Sequence, residues 1–528
     1  MAQLRKLATV AYKPRIFILT DMLNEPDDSE SLVRYLLYAN EFDTRGICAT
    51  TSTWLRTSTH PEEIQRILSA YGTVVERLNR HVHPDFPYQS AEHFRSLVTS
   101  GPSVYGKKAF NEPVSEGALR LLAALRESEE PLYVPVWGGV NTLAQALKHL
   151  SATAANPEEA AILRSRLRVY AISDQDDTGP WIRTQFSDVF YIVSAHGWNM
   201  YGQATWTGIH AGGGTGPDKT KVLNPWLRKH IQVGTFGAEA YPDVKFGMEG
   251  DTPSFLWLVQ NGLGNREHIS WGGWGGRYMR PQSEEDCALW GTDANHYLNS
   301  EDERVRGDDG GVYRSHQATI WRWRDAIQDD FAARMHWTLT DDFEAAAHPP
   351  VVVVNGHVGL DPLVLKVAPG SSHMLDAIAT YMPDVSADGH SPRVPLDFVW
   401  LLYTDVNGFN MLGPRGNMKS ILTAVEGAEG TGNFAKDDHT NTAGFSWYAR
   451  GAQVLVSVPE VTRNPQTFQV TPDFHVVLQV TNRAGPYPVR RYKRVVFSFE
   501  YDDASVPMGE ICGLMSRLRR DESSYDTI

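Results

Sequence analysis

Asp21, Glu25, Asp27 and Asp28 fall within eight residues of one another, directly after the apolar run Arg15-Ile16-Phe17-Ile18-Leu19-Thr20. Carboxylates this crowded repel one another unless a cation neutralises them. Calcium suits such a set, because it takes oxygen ligands and tolerates irregular geometry. The plain alternative is a solvated loop whose acids cap a helix. A second acidic run, Asp174-Gln175-Asp176-Asp177, follows another apolar segment ending at Ile172. Asp174 is a candidate acceptor for a sugar hydroxyl, and the alternative is again a helix cap. Trp181 and Arg183 follow it, as a binding wall or as packing. The third group is Ser270-Trp271-Gly272-Gly273-Trp274-Gly275-Gly276-Arg277-Tyr278. Its glycines permit close backbone approach, Trp271 and Trp274 offer flat faces to a sugar, and Arg277 offers a fork for a carboxylate or a loop lock. A purely structural loop is the competing reading. Trp206, His210 and Gly212-Gly213-Gly214 read as a lid.

The elements that must position these groups alternate. Residues 15–20 read as a buried strand and 29–40 as a helix with Leu32, Val33, Leu36 and Leu37 on one face. Residues 45–51 read as the next strand, completing a right-handed βαβ unit. Helices over 61–78, 115–128 and 142–150 and strands over 132–136, 167–172 and 189–193 continue the pattern. This predicts a mostly parallel sheet covered on both faces, which binds ligands outside the carboxyl ends of its strands. Both acidic runs fall at such ends. Residues 317–337 read as a helix closing this part. From 351 onward the segments 351–354, 397–403, 474–480 and 494–499 are β-rich and separated by turns, predicting a C-terminal β-sandwich of immunoglobulin-like size. The expected domains are 1–344 and 345–528, with a frayed acidic tail after Arg520.

Composition narrows the function classes. Lys and Arg number 49 against 63 Asp and Glu, a net charge of −14. Phosphate backbones need basic surface, so no nucleic-acid partner is expected. No run of 18 apolar residues predicts a membrane span. Cys48, Cys287 and Cys512 are few, odd in number and far apart, excluding a disulfide framework or a cysteine-rich zinc site. The N-terminus lacks an apolar signal-peptide core and the chain has no Asn-x-Ser/Thr sequon, so a cytoplasmic location is expected. His60, His196 and His357 lack metal-ligand spacing, and Trp321 and Trp323 beside Arg322 and Arg324 read as helix packing. The glycine pattern is not a dinucleotide fingerprint, and no Gly-x-Ser-x-Gly elbow is present. The partner left is a small molecule or saccharide, with a homo-oligomer open.

The piece ILTDMLNEPDDSESLVRYLLYANEFDTRGICATTS resembles the opening of the nucleoside hydrolase fold: a strand, an Asp, then a paired Asp-Asp at a helix start. With VWGGVNTLAQAL, ISDQDDTGPWIRTQF, GDTPSFLWLVQNGLG, WGGWGGRY and ATIWRWRDAIQDDFAARM, the match is closer to a divergent branch, the nucleoside-hydrolase-like proteins also described as cellulose-binding. The resemblance implies a nucleoside-hydrolase-like α/β domain followed by the sandwich, and calcium as cofactor. It implies that Asp21 binds the ion and acts as general base, that Asp27 contacts sugar hydroxyls, and that Asp28 and Asp251 are further metal ligands. Asn141 stands where the family presents a backbone carbonyl to the metal, and Thr53 near a sugar contact that is usually Asn. Asp21 and Asp27 are six positions apart, two more than the family spacing; Leu19 replaces a family Asp; and the Glu-x-Asn sugar segment is missing. Three functions follow: a calcium-dependent hydrolase of a glycosidic or N-glycosidic bond, a non-catalytic carbohydrate-binding protein, or a repurposed enzyme acting on a small metabolite. Catalysis would rest on Asp21 and Asp27; substrate contacts on Asp27, Thr53, Asp174, Trp206, Trp274 and Arg277; metal ligation on Asp21, Asp28, Asn141 and Asp251.

Overall fold

The computed structural model describes residues 4, 7, 9–10, 12–194, 198–211, 216–280, 295–383, 396–406, 409, 418–425, 442–460 and 473–499. Cys287, Cys512, His196, the Gly212-Gly213-Gly214 run and the acidic tail lie outside them.

The first apolar run forms β1 (Arg15–Thr20), buried throughout. Its side chains alternate between two cores: Ile16 and Ile18 join one and Phe17 and Leu19 the other. Period-2 alternation with both faces apolar is what a strand covered on both sides requires. The strand is joined by β2 (Asp43–Ala49), β3 (Val98–Ser100), β4 (Leu132–Val136), β5 (Leu167–Ala171), β6 (Phe190–Val193), β7 (Tyr278–Met279) and β8 (His296–Asn299). The eight-stranded order is β3-β2-β1-β4-β5-β6-β8-β7. All neighbours are parallel except β7 against β8. The chain order reverses between β1 and β4, so the crevice at that switch point opens beside the carboxyl end of β1.

The helix after β1 spans Asp27–Tyr38, with Pro26 at its N-cap and no side-chain cap hydrogen bond. Pro26 has no side chain that could cap, and Asp27 and Asp28 lie in the first turn, where carboxylates favour the helix N-terminus as expected. Elsewhere capping is ordinary: Ser115 accepts from Ala118 N–H, and Asn156 from Glu159 N–H. Two predicted helices are interrupted. Residues 61–78 divide into Pro61–Gly72 and Val75–Leu78, and residues 317–337 into Ala318–Trp321 and Arg324–Trp337.

A hairpin of β9 (Asp302–Arg306) and β10 (Val312–Ser315) precedes the last helices. Beyond them, β11 (Val353–Val354) and β12 (His357–Val358) form a short hairpin. Asn355 (φ 50°) and Gly356 (φ 79°) make its two-residue turn, the left-handed pair such a loop requires. The sandwich that follows has strands β13 (Leu363–Val367), β14 (Ser372–Asp376), β15 (Leu396–Tyr403), β16 (Leu422–Ala424), β17 (Tyr448–Arg450), β18 (Gln453–Ser457), β19 (Phe474–Asn482) and β20 (Val489–Phe499). They form a five-stranded sheet, β13-β20-β19-β15-β17, and a three-stranded sheet, β14-β18-β16.

Strand β15 explains how the two parts join. Phe398, Trp400 and Leu402 enter the core between the two sheets, while Val399, Leu401 and Tyr403 enter the core of the α/β part. The large sheet is thus buried on both faces. Ion pairs pin the contact. Asp302 accepts from Arg277 Nε (2.8 Å), Arg322 (2.7 Å) and Tyr403 Oη (2.8 Å). Arg490 and Arg491 of β20 each donate at 2.9 Å to Asp329 and Asp330 on the helix Arg324–Trp337.

Candidate acidic site

Asp21 is the first residue after β1. Its neighbours are drawn in by the same sheet edge: Thr50 N–H donates to Thr20 O (2.7 Å) and Trp137 N–H to Leu19 O (2.8 Å). The loop from Asp21 to Pro26 turns back through Leu23, which sits at φ 72°, a conformation an L side chain adopts only when its surroundings impose it. This turn brings Asp27 and Asp28 beside Asp21. Asp28 accepts a hydrogen bond from Thr20 Oγ1. Asp251 arrives from far along the chain, on a loop held by the helix Asp27–Tyr38. Glu249 N–H donates to Glu30 (2.9 Å), and the Glu249 carboxylate pairs with Arg34 and accepts from Tyr241 Oη (2.7 Å) and Thr252 Oγ1 (3.0 Å).

One carboxylate oxygen from each of Asp27, Asp28 and Asp251 lies within 4.8 Å of the other two. Asp21 lines the same cleft, with Asn24, Glu25, Trp54, Trp137, Gln175, Trp206, His210, Phe246 and Gly247. The cavity is ≈ 310 Å³. Glycines make the approach possible: a Cβ on Gly138 would lie 2.6 Å from Asp21 Oδ1, and one on Gly250 would lie 2.8 Å from the Trp206 ring and 3.0 Å from Asp27 Oδ2.

The electrostatics are one-sided. Burial, opposed only in part by hydrogen bonds from Ser52 and Asn24, pushes the Asp21 carboxyl up to about 7. Burial and then the negative neighbours Glu25 and Asp21 push Asp27 up to about 8. Asp28 and Asp251 are held well above the usual range, by burial first and by the other carboxylates second. Asp21 Oδ2 and Asp251 Oδ2 are buried without a hydrogen-bond partner. Among the described residues no Lys or Arg pairs with any of the four. His210 donates Nδ1–H to Met248 O (2.9 Å), and burial lowers it to about 4, so at neutral pH its Nε2 is an acceptor.

The remaining expected site residues are placed elsewhere. Asp174 is held by a two-point ion pair with Arg183 (2.7 and 2.6 Å) and does not line the cleft; its neighbour Gln175 does, donating to Trp137 O. Asp176 caps the helix after β4, accepting from Asn141 N–H (3.1 Å), and also accepts from Thr178 N–H (2.8 Å). Asn141 does not line the cleft; its amide spans Thr51 Oγ1 and Val104 O, both at 2.8 Å. Thr53 accepts from Arg56 (3.1 Å). Trp274 is buried in the core, and Arg277 pairs with Asp302; neither lines the cleft. Arg494 of β20 clasps that loop, donating to Leu263 O (2.7 Å), Trp271 O (3.1 Å) and Gly272 O (3.2 Å). Of the expected substrate contacts, Asp27 and Trp206 do line the cleft. Trp54, Trp137, Gln175 and Phe246 were missed. Trp137 directly follows β4, and Trp54 lies five residues beyond β2, so the strand-end rule that found Asp21 also points to them; Phe246 lies in irregular chain and carries no such signal.

A parallel sheet with an acidic cleft at its switch point, backed by a sandwich, defines a nucleoside-hydrolase-like α/β protein. The chain belongs to the family described as "Cellulose-binding Sde182, nucleoside hydrolase-like domain", whose match covers residues 15–278. Among solved structures it is similar to a nucleoside hydrolase-related hypothetical protein from Saccharophagus degradans that is associated with carbohydrate metabolism. The two are 27% identical, with a TM-score of 0.67, over 92% of this chain and 100% of that one. An inosine-uridine preferring nucleoside hydrolase from Bacillus anthracis matches at 13% identity and a TM-score of 0.29, over 62% of this chain and 99% of that one. No curated protein matches the chain. Among the described residues no helix is long and apolar enough to cross a membrane.

Proposed function

We propose that the acidic cleft binds a neutral saccharide and hydrolyses a glycosidic bond in it, with calcium as cofactor. The observation that carries this reading is the pair of buried, unpartnered oxygens on Asp21 and Asp251, beside Asp27 and Asp28. Four carboxylates with no cationic side chain fit a hard divalent ion, and the donor set, all oxygen, fits calcium. Asp21, Asp28 and Asp251, with Asp27 beside them, would hold it. Bound there, the ion would supply Lewis acidity and lower the pKa of a water. Asp21 would take the proton from the attacking water. Asp27, on the more open side, would accept hydrogen bonds from sugar hydroxyls. The carboxylates favour positive charge developing at the anomeric carbon. Trp137 and Trp206 exclude water from the inner wall. Phosphorylated or acidic sugars are disfavoured by the same field. The saccharide assignment also draws on the family description and on the carbohydrate association stated for the Saccharophagus degradans protein.

The test is incubation with cello-oligosaccharides, aryl glycosides and nucleosides, in calcium or in chelator, with product analysis. Calcium-dependent cleavage that Asp21→Asn abolishes supports the proposal; full turnover by Asp21→Asn removes the base. A second reading, carbohydrate binding without cleavage, is favoured by one observation: His210, held neutral with its Nδ1 proton on a carbonyl, cannot protonate a leaving group at neutral pH. Saturable binding without product selects it.

A further inference from the structure

We infer that the cleft receives the end of an oligosaccharide chain, and that Trp54 and Phe246 form an aromatic rim that grips the sugar rings following the terminal one. The inference rests on the reading of the cleft as a saccharide site. The inner aromatics of the cleft are buried, Trp137 at 0% exposure and Trp206 at 6%, whereas Trp54 is 57% exposed and Phe246 69%. All four line one cavity, so the exposed pair marks its solvent side. A cavity of ≈ 310 Å³ is at the small end for ligand sites and holds on the order of one or two sugar rings. A longer chain must leave past the rim.

Both rim side chains are presented by anchored backbone. Ser52 N–H donates to Leu55 O (2.9 Å), and Ser52 Oγ accepts from Trp54 N–H and Leu55 N–H, both at 3.1 Å. The Ser52 side chain also lies near the Asp21 carboxyl and favours its charged form. Phe246 stands between two fixed points. Val244 exchanges hydrogen bonds with the Asn224 amide (2.8 and 3.0 Å), and Met248 O accepts from His210. Trp54 and Phe246 leave much aromatic surface exposed, with the Lys245 ammonium 5.4 Å from the Phe246 ring centroid, and a pair of such rings at the mouth of one polar cleft is what a ligand with apolar faces and polar edges uses. Pyranose rings have that character: their axial C–H groups meet the negative face of an aromatic ring while their hydroxyls stay in water.

The experiment is calorimetric titration of the calcium-loaded protein with glucose, cellobiose, cellotriose and cellotetraose, for wild type, Trp54→Ala, Phe246→Ala and Trp54→Phe. Wild type gains about 3- to 10-fold in affinity for each ring that reaches the rim. Each alanine variant loses that gain on the longer sugars and keeps wild-type affinity for glucose and for calcium, and Trp54→Phe retains most of it. Glucose binding with no dependence on chain length overturns the inference and leaves the saccharide reading standing. Equal oligosaccharide affinity in wild type and both alanine variants also overturns it. Failure of all four sugars to bind removes the saccharide reading, and the inference with it. Tight binding of inosine that Trp54→Ala weakens would assign the rim to a nucleobase instead.

Discussion

Asp21→Asn should make the metal-free protein more stable at mildly alkaline pH, although it removes the residue proposed as the base. In the unfolded chain Asp21 ionises near 3.8; in the folded chain burial raises this to about 7. Its contribution is therefore fully present below pH 3.8, declines as pH rises through 7, and is constant above that. Holding the group at about 7 rather than 3.8 corresponds to about 4 kcal/mol against the folded state once it ionises. Asparagine keeps the shape and cannot ionise. Wild type and Asp21→Asn in chelator should thus unfold at similar temperatures at about pH 4, with the variant higher by roughly 4–6 °C at about pH 8. Differential scanning calorimetry over that range reads the difference directly, and taking the difference cancels titrations elsewhere in the chain. Saturating calcium should then raise wild type more than the variant at about pH 8. A gap that does not change with pH, or a variant less stable than wild type at alkaline pH in chelator, refutes the claim that Asp21 is buried against an unneutralised negative field.

Asp251→Asn should lower calcium affinity by more than about 10-fold by calorimetric titration, since it would remove one of the proposed ligand oxygens; wild-type affinity would place the ion elsewhere. Asp302→Asn should cost about 3–5 kcal/mol in chemical denaturation, because Arg277 and Arg322 would remain buried with their shared carboxylate gone; a loss below about 1 kcal/mol would deny it that role. Asp174→Ser should leave saccharide and calcium affinities at wild-type values and cost only about 1 kcal/mol, since its pair with Arg183 is partly exposed and outside the cleft; weakened saccharide binding would return Asp174 to the site.

The α/β part was legible because its signal is local. Apolar runs of five or six residues separated by helical periodicity name parallel strands, and Leu132–Val136 falls on the predicted residues. Boundaries slipped where a turn interrupts one hydrophobic stripe, as at Thr73 and between Trp321 and Arg324. The convergence of Asp251 on the first loop was reached through the family resemblance, because nothing in the spacing of residues 28 and 251 encodes it. Asp174 and Arg277 stand apart from the cleft residues for one physical reason. A carboxylate at a strand end or an arginine beside glycines announces chemistry only if its partner is a ligand, and here the partners are Arg183 and Asp302. Arg183 is nine residues from Asp174, but sequence cannot say that the two side chains meet.

Most other buried acids of this chain are given a cation; Glu30 and Asp176 are the exceptions among the described residues, held by backbone N–H donors instead. Glu249 is paired with Arg34, Asp302 with Arg277 and Arg322, Glu41 with Arg334, Asp329 with Arg490, and Asp330 with Arg334 and Arg491. A buried carboxylate left without a counter-charge costs several kcal/mol, and the fold meets that cost with a guanidinium at each of these places. Arg34 and Glu249 show that one can be supplied within a few residues of the cleft: Arg34 lies on the same helix as Asp27 and Asp28, and Glu249 is two residues from Asp251. At Asp21, Asp27, Asp28 and Asp251 no arginine or lysine is supplied among the described residues. Four carboxylates gathered without a cation at a sheet's switch point, where most other buried acids of the chain have one, could hold an ion. The choice between calcium, another hard cation and protons alone then rests on the pH and metal dependence of stability set out above.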